Sequence, residues 1–289
     1  MYNLLLDRHH TCAKSVPGII PPFVIAHLQL IVAAVEALWM ERDLAGMVLG
    51  GLRIIVTGAA SGIGKATAEL LRDSGATVAW LDRDGARLAD AAPSDAIQLV
   101  ADQTDREQVV SAVGEATSSM QGIDCVVNAA GIADSNAASE IGLDRWNQVL
   151  AVNLTGPFLI CQAAYPWLRQ SSNAAIVNVA SASGLLPSGA ATVYAASKGG
   201  LIAATKALAA EWAPSIRVNA VCPGTVDTPM VAGLFEKNEE FFAKMEKTYA
   251  LRRMASAREI AEAIKFLVSP CSSFITGVSL AVDGGRTFH

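Results

Sequence analysis

The chain has 289 residues, 52% of them hydrophobic, with 27 acidic against 22 basic side chains and a net charge of -5. That supports a globular protein with a sizeable core, one large domain or two small ones, and the scattered charges argue against an electrostatic nucleic-acid surface. Five widely spaced cysteines (Cys12, Cys125, Cys161, Cys222, Cys271) with no C-x-x-C pair argue against a disulfide framework or a zinc site and fit a reducing cytosol.

Residues 1–46 differ in character from the rest of the chain, with "HH" at 9–10, "PP" at 21–22 and the apolar run "FVIAHLQLIVAAV" at 23–35. The run falls short of the ~20 residues that span a bilayer, is broken by His27 and Gln29, and is followed by Glu36. Basic residues precede it, but no small-residue cleavage site comes after it, as a secretory signal would require. The segment is expected to be an extension that packs on the body or on a partner subunit, or an over-long start. Met47, before "VLGGLRIIVTG", would make a natural first residue.

From residue 52, apolar runs at 52–57, 77–82, 96–101, 123–128, 174–180, 216–221 and 278–283 read as buried strands. Amphipathic stretches at 62–74, 104–119, 142–168, 191–213 and 256–268 separate most of them. This alternation predicts an α/β protein, one doubly wound Rossmann domain over 47–289 with a seven-stranded, mainly parallel sheet. The stretch 224–255 shows no strand pattern, and residues from about 225 to 255 suit a helical lid over a pocket.

"TGAASGIG" (57–64) comes directly after the first strand and opens the first helix, where a dinucleotide-binding turn must lie. Gly58, Gly62 and Gly64 let backbone turn tightly and approach a pyrophosphate at a helix N-terminus. Asp82 ends the second strand, where a carboxylate accepts from ribose hydroxyls and repels a 2′-phosphate, which points to NAD. Arg83 beside it could instead meet a phosphate. Tyr194 and Lys198 in "VYAASKGG" share a helix face at a spacing of four. A cation there would favour phenolate and make the tyrosine a usable acid or base, although a surface Tyr and Lys have the same spacing.

The order T-G-x-x-x-G-x-G, "NAAG" (128–131), Y-x-x-x-K, "PGTVDTP" (223–229) and "ITGVSLAVDGG" (275–285) resembles the short-chain dehydrogenase/reductase family over residues 52–285. The resemblance implies a tetrad of Asn153, Ser181, Tyr194 and Lys198. Tyr194 would be the general acid/base, Lys198 would hold the nicotinamide ribose and depress the tyrosine pKa, Ser181 would donate to the substrate oxygen, and Asn153 would anchor a water. It also implies cofactor contacts at Gly58, Ser61, Gly62, Ile63, Gly64, Asp82, Asp102, Asn128, Ala129, Gly131, Pro223, Gly224, Val226 and Thr228, besides Tyr194 and Lys198, and no metal. Ala129 stands where the family has a second Asn.

Each assignment has a plainer competitor. Ser183 rivals Ser181, which as a strand-end serine could be a turn former; Asn153 could kink its own helix; and Cys222 reads as a small buried residue. The expectation is therefore a cytosolic NAD(H)-dependent oxidoreductase acting on a secondary alcohol or ketone. By resemblance it would be a homotetramer, with the helices of Asn153 and Tyr194 facing partner subunits. The alternatives are an idle NAD-binding sensor or scaffold, an NADP-dependent ketoreductase such as a 3-oxoacyl thioester reductase, and a reductase anchored in a membrane by residues 19–40. The substrate pocket is expected to draw on 182–187, Ala133, Asp134, Val193 and the lid.

Overall fold

Strands buried on both faces need apolar residues at every position, and the runs after residue 52 supply them. In the computed structural model, β1 (Arg53–Thr57), β2 (Thr77–Asp82), β3 (Ile97–Val100), β4 (Cys125–Asn128), β5 (Ala175–Val179), β6 (Arg217–Pro223) and β9 (Ser279–Val282) form one seven-stranded sheet in the order β3-β2-β1-β4-β5-β6-β9. Every neighbouring pair is parallel, so the expected "mainly parallel" sheet is parallel throughout. The structure describes residues 49–187, 189, 191–235 and 247–288; the segment 1–46 and the middle of the expected lid, 236–246, lie outside them.

Alternate residues of each strand enter opposite layers. Ile54 and Val56 pack with Leu71, Ile260 and Ile264 on one face, from helices α1 (Gly62–Asp73) and α9 (Ala257–Val268). Ile55 and Val126 pack on the other with Val109 and Val113 of α3 (Arg106–Met120) and with Ile160 and Leu168. Each such side chain contributes about 1.5–3 kcal/mol when fully buried. Strand order reverses between β1 and β4, which opens a crevice beyond their C-terminal ends.

Two departures from the sequence reading bear on that crevice. The helix expected over 142–168 is not continuous: α4 (Leu143–Leu150) passes through a π-turn, Ala151–Thr155, into α5 (Gly156–Leu168). Pro157 has no N–H to give to the carbonyl four residues back, that of Asn153, so the regular ladder breaks there, and Gly156 N bonds Ala151 O instead. The stretch expected to lack strands carries two very short ones. β7 (Val226–Asp227) and β8 (Ala255–Ser256) pair in parallel and fix both ends of the segment that includes α8 (Pro229–Phe235).

Candidate active site

At the end of β1 the chain must reverse within a few residues to start α1. Gly58 and Gly62 take φ of +69° and +52°, values that suit glycine. A Cβ on Gly58 would lie 2.7 Å from Ala130 Cα, and one on Gly64 would land on the Gly58 carbonyl. Thr57 Oγ1 closes the opposite side by accepting from the amides of Ala129 and Ala130, both at 3.1 Å. The N-terminus of α1 is left open, since Ser61 makes no side-chain cap bond and no acid occupies the first turn. In α3, by contrast, Asp105 caps the amides of Glu107 and Gln108.

This open end faces a cleft of about 270 Å³ lined by Gly58, Ser61, Gly62, Ile63, Gly64, Asp82, Asp102, Ala129, Gly131 and Thr228, among others. Asp82 is held in the wall by bonds from Ala60 N and Asp84 N, each 3.1 Å. Asp102 accepts from the amide and hydroxyl of Thr104 and so shapes the far wall. Arg83 and Arg87 share the cleft; Arg87, on α2 (Gly85–Ala91), pairs with Asp84, whereas the Arg83 side chain makes no ion pair among the described residues. Asn128, expected at the cofactor, lines neither this cleft nor the cavity beside it. It is buried within the sheet, donating to Asn178 Oδ1 at 2.8 Å, while Asn178 donates to Thr205 Oγ1 at 2.9 Å.

A second cavity of about 100 Å³ adjoins the cleft, sharing Ile63, Gly131 and Thr228 with it. Ser181, Tyr194 and Lys198 line it, with Pro223, Gly224 and Val226 from the end of β6 and from β7. Tyr194 and Lys198 come from α7 (Thr192–Trp212), and Lys198 Nζ stands 5.9 Å from the centre of the tyrosine ring. The Lys198 side chain is 5% exposed and donates to Val179 O at 2.8 Å. Ser181 faces the cavity and also caps the short helix α6 (Ala182–Leu185) by accepting from Ser183 N, so the turn-forming reading holds together with the site placement.

Asn153 is fully buried in the π-turn. Its Oδ1 accepts from Ile132 N at 2.8 Å, and its Nδ2 donates to Ile132 O at 2.9 Å and to Ser197 Oγ at 3.0 Å. Both amide hydrogens are thus taken, and the side chain clamps the backbone at Ile132 to α7. It bonds a distant segment, not its own helix. Asp134, expected in the substrate pocket, is closed off by Arg145, whose Nε lies 2.7 Å from its carboxylate; burial pushes the Asp134 pKa up, but the Arg145 pairing and the hydrogen bonds from Asn136 together outweigh it and keep the pKa low. Val193 is fully buried and Cys222 likewise, the latter with its thiol pushed up to about 11, chiefly by burial.

Burial also dominates the two titrating groups of the cavity. It raises the Tyr194 pKa above its ordinary value, against smaller downward contributions from the Ser181 hydroxyl and the Arg286 charge. The expected downward pull from Lys198 is not among these causes. Lys198 itself is lowered to about 8 by burial. Thr57, Ser197 and Arg286 escaped the sequence reading; each acts through a partner far along the chain.

A parallel sheet with an uncapped glycine turn at its switch point, beside a cavity holding a tyrosine and a lysine, defines a dinucleotide-binding oxidoreductase. Residues 58–287 match a family model described as enoyl-(acyl carrier protein) reductase. A cis-4-hydroxycyclohexanecarboxylate dehydrogenase from Sinomonas cyclohexanicum is 40% identical over 240 residues, 81% of this chain and 95% of that protein. The 3-oxoacyl-[acyl-carrier-protein] reductase of Thermotoga maritima is 39% identical over 246 residues, 83% of this chain and 99% of that one. The crystal structure of 3-ketoacyl-(acyl-carrier-protein) reductase from Brucella melitensis complexed with NADH superposes with a TM-score of 0.78 at 32% identity, covering 83% of this chain and 100% of that chain. The chain belongs to the short-chain dehydrogenase/reductase family, and it is an oxidoreductase acting on CH–OH groups with a nicotinamide cofactor.

Proposed function

We propose that the protein is a cytosolic NAD(H)-dependent enzyme that interconverts a secondary alcohol and a ketone, with Tyr194 exchanging the proton. The observation that carries this reading is the shared wall: Ser181, Tyr194 and Lys198 line one cavity that joins the glycine-turn cleft through Ile63, Gly131 and Thr228. The cofactor fits the cleft because Gly58 and Gly64 have no room for a Cβ and the α1 amides are free to meet a pyrophosphate. When bound, it supplies or accepts the hydride.

The chain's own residues do the rest. Tyr194 gives its proton to the forming alkoxide in reduction and takes it back in oxidation. Ser181 donates to the same oxygen as charge builds on it, and Lys198 holds a cation beneath the ring. Asn153 keeps Gly131 and Ile132, which wall both spaces, in register with α7. Asp82 at the end of β2 favours NAD. A homotetramer is supported by exposed Phe158 and Trp167 on α5, 43% and 40% accessible. The α4–α5 segment is long and apolar enough to cross a membrane, but its Ile160, Cys161, Ala164 and Leu168 pack into the sheet core.

Arg83, which lines the cleft and makes no ion pair among the described residues, and the 3-oxoacyl reductase relative favour a second reading, an NADP-dependent ketoreductase. Absorbance of reduced nicotinamide, followed with both coenzymes on 4-hydroxycyclohexanecarboxylate and simple cyclic alcohols, decides between them. Repulsion between Asp82 and a 2′-phosphate on the order of 2 kcal/mol predicts at least a tenfold preference for NAD. Equal efficiencies, or a win for NADP, would move the assignment to Arg83. Nucleotide binding without turnover on any alcohol would leave an idle binder.

A further inference from the structure

The π-turn leaves one carbonyl over. In a regular helix Val152 O would accept from Gly156 N, but that amide goes to Ala151 O. The residue after it, Pro157, which would close a π-type bond to Val152, has no N–H. The carbonyl is taken from outside the helix: Gln103, 49 positions earlier, donates to it through Nε2 at 2.7 Å. The backbone on either side of Gln103 is pinned. Asp102 N donates to Gln108 Oε1 at 3.0 Å, and the Asp102 carboxylate accepts from the amide and hydroxyl of Thr104. Gly156 gives the glutamine its room, since a Cβ there would lie 2.6 Å from Gln103 Cγ.

This contact carries a cost that packing alone would avoid. Gln103 is 5% exposed, and its Oε1 is buried with no hydrogen-bond partner among the described residues. Turning the amide over would set that oxygen against the Val152 carbonyl, so the donor must face the turn. A methionine would fill similar space with no orphaned acceptor; what glutamine adds is the donor. The bond also joins the two halves of the site. Gln103 and Val152 both line the nucleotide cleft, and the next residue is Asn153, which grips Ile132 and Ser197. Ser197 Oγ in turn donates to Tyr194 O at 2.7 Å. Three hydrogen bonds and one peptide link thus run from the cleft wall to the backbone of the tyrosine.

We infer that Gln103 is a positioning residue for proton transfer at Tyr194: it takes the carbonyl that the π-turn cannot satisfy and so keeps Asn153 against Ile132 and α7. The link to the chemical step rests on the reading of Tyr194 as the proton donor; the clamp on the turn does not. Gln103→Met keeps the length of the side chain and removes the donor. With saturating coenzyme and alcohol its kcat should fall about tenfold or more, while every chain still binds NAD with a Kd within about twofold of the parent. Gly156→Ala attacks the same bond from the helix side, by displacing the glutamine, and should give the same split. The double variant should be no worse than either single one, as for two ways of losing one contact. Hydrogen exchange followed by mass spectrometry on the chain without coenzyme should be faster in both variants at the Ile132 amide, which Asn153 holds. A normal kcat in Gln103→Met, a Kd for NAD that rises in step with the loss of kcat, additive losses in the double variant, or unchanged exchange overturns the inference. If Tyr194→Phe keeps the rate of the parent, the proton-donor reading fails, and exchange alone decides the clamp: faster exchange in the variants leaves it standing, and unchanged exchange removes it.

Discussion

Around β1 and β2 the site is made of backbone: two glycines at positive φ, a third with no space for a side chain, and free amides at the start of α1. Around β5, β6 and α7 it is made of buried side chains, with Lys198, Ser181, Asn153 and Ser197 each held by a named hydrogen bond. The nucleotide half therefore depends on shape, and conformational strain or steric overlap is how it fails. The chemical half depends on desolvated charge, and it can fail while the fold survives or even improves.

Gly64→Ala should give the largest effect. The new methyl would collide with the Gly58 carbonyl, a backbone atom that cannot rotate away, so a loss of about 3 kcal/mol or more in stability is expected, with nucleotide affinity falling alongside it. Urea unfolding and coenzyme titration measure both; near-normal values would remove the distinction drawn between the halves.

Tyr194→Phe comes next. It keeps the ring and its packing but removes the proposed proton donor, so the chemical step should slow by at least ~100-fold with coenzyme affinity barely changed. Single-turnover kinetics on a substrate that the parent oxidises would show it. A retained rate would take catalysis away from this tyrosine, whatever the cleft binds.

Lys198→Met sharpens the comparison most, because it should abolish turnover and stabilise the protein. A fall from 10.5 to about 8 means that burial penalises the charged amine by roughly 3 kcal/mol at neutral pH. The lost bond to Val179 O offsets part of this, which leaves a net gain of about 1–2 kcal/mol. The sign reverses with pH. Between pH 8 and 10.5 the unfolded chain holds a proton that the folded lysine has shed, so the stability of the parent rises with pH through that window by this term. The variant has no such rise, so its advantage at pH 7 should vanish by pH 10 in paired denaturation curves.

Much of this architecture was legible in the sequence because it is local. The apolar runs placed the sheet strands to within two residues, with β6 running on to Pro223, and the glycine spacing located the turn before α1. Pairings between distant residues were not legible. Nothing in Ser197 foretells its bond from Asn153, 44 positions away, or in Thr57 its two bonds from the end of β4. The β7–β8 pair is too short to show a period. The π-turn did leave a signal, Pro157 four residues after Asn153, but within an apolar helical pattern it reads as a tolerated proline. The direction of pKa change at Tyr194 was missed because spacing reports a neighbour's charge, while burial is set by the whole fold.

The π-turn has a further consequence, for length. Removing one residue from 151–155 would restore a regular helix and swing everything N-terminal to it by about 100° around the axis. Asn153 would then leave Ile132 and Ser197 together, so this helix is far less tolerant of insertion or deletion than of substitution. A chain of related sequences could drift widely in residue identity here while its residue count stayed fixed, a register lock written in number rather than in kind.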